Sequence, residues 1–414
     1  MSSVKQRLIS FLRWSERYTK TDMLYLVKGS FWLNLATGLN TLILLGLLYA
    51  FGNFVSPELY GQYRYFLSVY GTITVISLAG FNTALTRSVA KGYHGDLIRG
   101  LMFQAAGCLI GSIISFGGAG YYWLHGNTEL SFGFLIMGLA MPFMESLDLY
   151  TAFFVGKKMF EEVAATAIAS QLLTTVALVI AIALHVSVIP ILITYFLSWV
   201  VVKGVCFWFA LQYRENNNRS PDFNSIGLNF SAIGALSNAA NYLDRIVLFH
   251  YMGARDVALY SFAIAPTEQL KALFKNASSL IFPKFSMRTE EDVNSTVLQK
   301  TLLMGAAALL LALLYIIAAP VLITFFLPKY TEIIFHSQVY ALSLIGVMII
   351  PLTAAMNSIP KIKALYLTNI ITPLISVVLI VTLIPPYGLW GAIAARALGR
   401  IFSILATYLI FYLS

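Results

Sequence analysis

Apolar runs follow one another along this chain almost without pause, separated by short clusters of Gly, Pro, Asn and charged residues. About 20 helical residues, rising 1.5 Å each, cross the hydrocarbon of a bilayer. The punctuation predicts twelve such segments: 27–51, 62–86, 99–124, 131–155, 163–184 and 187–211, then 226–252, 256–283, 301–327, 332–356, 363–384 and 388–412. The longest hydrophilic stretch between them is 212–224 (QYRENNNRSPDFN). No soluble domain fits between the segments, so the work of the chain is expected within the membrane.

The pattern divides into a basic N-terminal segment 1–23, a first six-helix bundle 24–211, a cytoplasmic linker 212–224 and a second six-helix bundle 225–414. In 1–23, Leu8, Phe11, Leu12, Trp14 and Tyr18 suit a short helix on the membrane surface, with Lys5, Arg7, Arg13 and Arg17 towards anionic lipid; a frayed tail fits equally. A weak internal repeat joins the halves. Pro57-Glu58-Leu59-Tyr60-Gly61-Gln62-Tyr63 lines up with Ala254-Arg255-Asp256-Val257-Ala258-Leu259-Tyr260, at an offset of 197 residues. Six helices per half keep both halves in one orientation, which gives parallel repeats with a route between them.

Composition agrees with the pattern. Of 414 residues, 59% are hydrophobic and 11% charged, where a soluble domain carries about 25% charged residues. The expected fold class is an all-α polytopic membrane protein, about twelve transmembrane helices in two six-helix bundles around a central cavity. The net charge of +9 would suggest nucleic acid in a soluble chain. Here, with the N-terminus inside, eighteen Lys and Arg fall at inner ends of segments. Only Arg64, Arg255 and Lys329 fall at outer ends, and six cations lie within spans. That bias puts both termini in the cytoplasm and implies membrane lipid, with no nucleic acid as partner. Cys108 and Cys206, in apolar segments, read as free reduced thiols. There is no P-loop, no Gly-rich nucleotide fingerprint and no metal-spaced His or Cys cluster, so neither cofactor nor metal is expected.

The unusual stretch is 236–285. Asp244, Arg245, Glu268, Lys271 and Lys275 lie well inside two segments joined by Gly253-Ala254-Arg255-Asp256. Each charge at membrane depth costs about 2.5–3.5 kcal/mol on insertion scales, so such groups face a protein interior or a wet cavity. Glu268, Lys271 and Lys275 fall at i, i+3 and i+7 on one helix face, as do Asn238, Asn241 and Arg245. Glu268 and Lys271 can neutralise each other; Asp244 points away from Arg245, towards another helix. Arg396 and Arg400 make a cationic stripe in the last span. Arg245, Lys275, Arg396 and Arg400 are expected to line a cavity, the alternative being that they only balance buried acids. Lys203 is expected to snorkel to the inner surface. Glu145 and Asp148, one turn apart, read either as a proton or cation site or as partners of neighbouring cations. Asn34, Asn40 and Asn82 fit either a cavity lining or interhelical hydrogen bonding.

Three stretches carry a family resemblance: SPELYGQYRYFLSVYGTITVISLAGFNTALTRSVAKG (56–92), NYLDRIVLFHYMGARDVALYSFAIAPTEQLKALF (241–274) with Phe282-Pro283-Lys284, and PPYGLWGAIAARALGR (385–400). They resemble the O-antigen and teichoic-acid type polysaccharide flippases (Wzx-like) of the multidrug/oligosaccharidyl-lipid/polysaccharide (MOP) exporter superfamily. The resemblance implies a transporter, not an enzyme, in the bacterial cytoplasmic membrane. It would flip an undecaprenyl-pyrophosphate-linked oligosaccharide from inner to outer leaflet, in contact with a polymerase and glycosyltransferases. Arg64, Asn241, Arg245, Lys271, Lys275, Arg396 and Arg400 are then the expected substrate-binding residues. Glu145, Asp148, Asp244 and Glu268 are the expected coupling or charge-pairing residues. A drug or cation antiporter of the same superfamily is the alternative, with a membrane-embedded polymerase or ligase behind it.

Overall fold

The computed structural model describes residues 23–184, 187–275, 290–358 and 362–413, and every element among them is helical. The surface segment expected in 1–23, apart from Met23, and Phe282-Pro283-Lys284 lie outside the described residues. Local chemistry sets the boundaries. Ser56 accepts a hydrogen bond from the Leu59 amide and Pro57 fixes the first turn of α2 (Pro57–Ile73), following α1 (Met23–Phe54). Asn127 caps α5 (Thr128–Ser146) in the same way, after α4 (Asp96–Leu124).

All twelve segments are present, and several are broken. The second bends by 52° between Pro57–Ser77 and α3 (Gly80–Ala90), through Leu78 in the left-handed region. The fourth breaks between α5 and α6 (Leu149–Gly156), just after Pro142. The fifth and sixth are α7 (Phe160–Leu184) and α8 (Val188–Gln212). The seventh breaks at Asn241-Tyr242, between α9 (Phe223–Ala240) and α10 (Leu243–Met252). The eighth is α11 (Ala254–Lys275) and the ninth α12 (Glu290–Phe326). The tenth passes through 3-10 turns around α13 (Ile334–Ala341) into α14 (Ile349–Ser358). The last two form one run, α15 (Ile362–Leu413), broken only at Gly388 with φ of 52°. The four-residue connection expected after Met252 is in fact Gly253 alone: its φ of 84° closes α10 and lets α11 start at once.

Eight stretches among the described residues are long and apolar enough to cross a membrane, nine with the bent pair; α15 counts once there but covers two segments. The seventh and eighth segments fall outside that set, as their charges and breaks require. Packing runs mainly within halves. α1 lies on α7 and α4 on α5, while α8 takes up α5 and α7; α15 gathers α9, α10 and α14. The halves meet where α2 crosses α10 and α11 and where α3 crosses α9. Tyr60 stacks on Phe262 at 4.3 Å and Tyr65 on Phe249 at 3.9 Å along the first crossing. A Cβ on Gly61 would stand 1.8 Å from the Ala254 carbonyl oxygen, and one on Gly80 2.2 Å from the Ser231 amide.

The connection 213–222 is tied to the turn after α3. The Glu215 amide donates to His94 Nδ1 (3.2 Å), the Gly95 amide to the Asn218 carbonyl (2.9 Å) and the Ser220 amide to Asp96 Oδ2 (3.0 Å). Lys157 Nζ reaches Glu215 Oε1 at 2.6 Å. Burial holds the His94 imidazole below its ordinary pKa, and Lys157 lowers that of Glu215. Both cysteines are free and buried.

Candidate functional site

Two cavities contain most of the charges found within spans. The first, about 250 Å³, opens where the halves meet. Arg64 and Tyr63 reach it from α2, Gln171 and Thr174 from α7, Tyr195 and Trp199 from α8, Arg245 from α10, and Ser261 and Glu268 from α11. Arg245 is 9% exposed, its guanidinium 5.9 Å from the Tyr260 ring centroid. Neither Arg64 nor Arg245 has an ion pair among the described residues, and the Nε of each lacks a hydrogen-bond partner. Thr174 Oγ1, Trp199 Nε1 and Ser261 Oγ, on the same cavity, are also without partners. Buried polar atoms are normally satisfied, because an orphan costs about 1–3 kcal/mol. Five of these atoms surround this one cavity.

The second cavity, about 260 Å³, lies within the second half and is lined by Asn241, Lys271, Thr372, Ser376, Arg396 and Arg400 among others. Its arginines are paired. Arg396 Nε donates to Asp244 Oδ2 at 2.7 Å, and Tyr260 Oη donates to the same oxygen at 2.5 Å. Another Arg396 nitrogen donates to the Asn241 carbonyl. Arg400 pairs with Glu268, which also accepts from Tyr340, and donates to Ser343 Oγ at 2.6 Å. Lys271 Nζ is 3.7 Å from Glu268 Oε2.

The expected residues are therefore divided. Arg64 and Arg245 face the inter-half cavity, whereas Arg396, Arg400, Lys271 and Asn241 face the second one, so a single convergence of Arg245 with Arg396 and Arg400 does not occur. The break at Asn241-Tyr242 is the reason: it interrupts the helical register that would have placed Asn241 and Arg245 on one stripe. Arg64, placed at an outer end by sequence, is part of the cavity wall. Asp244 does reach another helix, and the main partner of Glu268 is Arg400, with Lys271 more distant. Lys275 ends α11, and its side chain lies outside the described residues. In the first half, Glu145 accepts from Tyr70 Oη at 2.8 Å and Asp148 pairs with Lys203 at 3.0 Å. Lys203 does not snorkel: it is buried and donates to the Met144 carbonyl at 3.0 Å. Asn34, Asn40 and Asn82 line neither cavity. Sequence reasoning missed Gln171, Thr174, Trp199 and Ser261, whose only signal is an uncharged polar group inside an apolar segment.

A family model described as "Polysaccharide biosynthesis protein" matches residues 26–289. No curated protein matches the chain. Among solved structures, the inward closed conformation of the lipid II flippase MurJ superposes with a TM-score of 0.69 at 15% identity, covering 91% of this chain and 86% of that one. An outward-facing multidrug resistance MATE family transporter of the MOP superfamily gives 0.67 at 14%, covering 93% and 95%. A MOP superfamily transporter from Pyrococcus furiosus, described by the reverse polarity of its binding pocket, gives 0.61 at 14%, covering 93% and 95%. At these identities the shared property is the fold.

Proposed function

The chain belongs to the polysaccharide biosynthesis protein family, and from that premise we propose that it flips an undecaprenyl-pyrophosphate-linked oligosaccharide from the inner to the outer leaflet of a bacterial cytoplasmic membrane. The observation that carries this reading is the pair of guanidiniums, Arg64 and Arg245, facing one cavity from opposite halves, neither in an ion pair among the described residues and each with an unsatisfied Nε. A pyrophosphate offers several oxygens in the geometry an arginine fork binds two at a time. Anchoring each end on a different half couples the headgroup to relative movement of the halves. The polyprenyl tail stays in lipid throughout. On this reading 24–211 and 225–414 are the moving bundles, 212–224 joins them on the cytoplasmic side, and both termini are cytoplasmic. Asp148, Asp244 and Glu268 serve to pair buried cations, and Glu145 accepts from Tyr70. Among the described residues the acid on the inter-half cavity is Glu268, and it is occupied by Arg400, which favours an anionic cargo over a cationic drug.

Complementation of polysaccharide display tests it, with export normalised to protein in the membrane. Arg64→Gln and Arg245→Gln should each reduce export and together abolish it, with the lysine variants intermediate because charge remains while the fork is lost. Normal export per molecule by the double glutamine variant would sink the proposal.

A further inference from the structure

Lys271, Arg396 and Arg400 all reach the cavity inside the second half, and among the described residues no acid lines it. The acids that pair them stand elsewhere: Asp244 is fully buried, and Glu268 faces the inter-half cavity. Three cations against two acids leave one positive charge over, and Lys271 carries it. Glu268 is taken up by Arg400 and Tyr340, and its Oε2 is 3.7 Å from the Lys271 ammonium, beyond hydrogen-bond reach. The Lys271 side chain is 43% exposed. A cation at membrane depth is costly unless water or an anion meets it. Arg396 spends Nε on Asp244 and one terminal nitrogen on the Asn241 carbonyl, which leaves a further terminal nitrogen for a ligand. Ser237 on α9 and Ser403 on α15 add hydroxyls to the same wall.

We propose that this second-half cavity is a binding site for a single phosphate group, anchored by Lys271 and flanked by Arg396 and Arg400. The donors stand on three helices, α9, α11 and α15, and so converge from different directions. An anion with several oxygens meets more of them than a halide or a carboxylate does. At about 260 Å³ the cavity takes a tetrahedral oxyanion together with water. Every wall comes from residues 237–403, so an occupant travels with the second half and does not pass between the halves. It is a co-ligand, separate from whatever the inter-half cavity carries, and the site stands independently of that cargo's identity.

The test uses the full chain in detergent, with inorganic phosphate titrated at an ionic strength held constant by chloride. Affinity is read from the rise in Tm with concentration, which should saturate for the wild type. Lys271→Gln should weaken binding about tenfold or more, the size of one charge-assisted hydrogen bond, and Lys271→Arg should restore most of it. Glu268 keeps Arg400 in both variants, so each folds and is read against its own unliganded Tm. Arg64→Gln/Arg245→Gln, altered only in the other cavity, should bind phosphate as the wild type does. Short-chain phosphatidate, compared with phosphatidylcholine of the same chains, identifies the source. Stabilisation by phosphatidate alone, lost in Lys271→Gln, assigns the phosphate to a lipid headgroup; stabilisation by inorganic phosphate assigns it to the soluble pool. Stabilisation by neither overturns the site, as does unchanged affinity in Lys271→Gln or loss of phosphate binding in Arg64→Gln/Arg245→Gln.

Discussion

Asp244 and Arg245 are adjacent in sequence but serve different cavities: Asp244 is fully buried against Arg396 at 2.7 Å, while Arg245 turns to the space between the halves. The backbone ties them, since the Arg245 amide donates to Asp244 Oδ1 at 2.9 Å. Occupancy of the Arg245 cavity and integrity of the Asp244 pair are therefore one residue apart on a single short helix.

The two arginine sets should separate in phenotype. Arg396→Ala strands Asp244, and breaking a buried pair costs about 3–5 kcal/mol. The expected result is a marked loss of folded protein in the membrane, partly restored by Arg396→Ala/Asp244→Asn. Arg245→Gln strands no acid and should leave the protein level near normal. Equal amounts of Arg396→Ala and wild-type protein would contradict the structural role of the pair.

Glycine substitutions should divide by crossing. Gly61→Ala puts a methyl 1.8 Å from the Ala254 carbonyl oxygen, and overpacking of this kind costs about 1–3 kcal/mol. A Cβ on Gly38 meets nothing within 4 Å, and helical Ala is preferred over Gly by about 0.5–1 kcal/mol. Thermal melts of the purified variants should therefore fall for Gly61→Ala and hold or rise for Gly38→Ala.

The connection 213–222 should loosen in acid. Burial lowers the His94 pKa, so its neutral form stabilises the fold fully above the ordinary value of about 6.5. That contribution is lost as pH falls below it towards the folded-state value, where protonation removes the acceptor of the Glu215 amide. Hydrogen exchange at Glu215 and Asn218 should accelerate on going from pH 7.5 to 5, after correction for intrinsic rates. His94→Gln should flatten the response.

Orientation and driving force can be tested together in cells and proteoliposomes. Cysteines at Asn217 and Asn294 should label only from the cytoplasm, and one at Asn127 only from outside. Moving an anion out of a negative interior is downhill by about 2.3 kcal/mol per charge per 100 mV, so export should rise with imposed potential. Dependence on an ion gradient, with no response to potential, would point instead to exchange through Glu145 or Asp148.

Much of this was legible in the sequence. The apolar runs and their punctuation by Gly, Pro and charges placed all twelve segments, and the cost of buried charge singled out Asp244, Arg245, Glu268 and Lys271 as interior groups. Grouping those charges was harder. Helical spacing assigns residues to a face only while the helix continues, and the break at Asn241-Tyr242 has no Pro or Gly to announce it. Lys203 was misread because snorkelling and pairing look alike until Asp148 is seen across from it. Trp199 and Thr174 were invisible for another reason: a polar atom counts as orphaned only once its neighbours in space are known.

Gly253 is the whole of the joint between α10 and α11, which leaves no slack between the two arms of that hairpin. One arm carries Asp244 and the other Glu268, and they grip Arg396 and Arg400, one turn apart on α15. The arrangement is that of a clutch with two teeth. Sliding α15 along the hairpin would have to break both pairs, one on each arm.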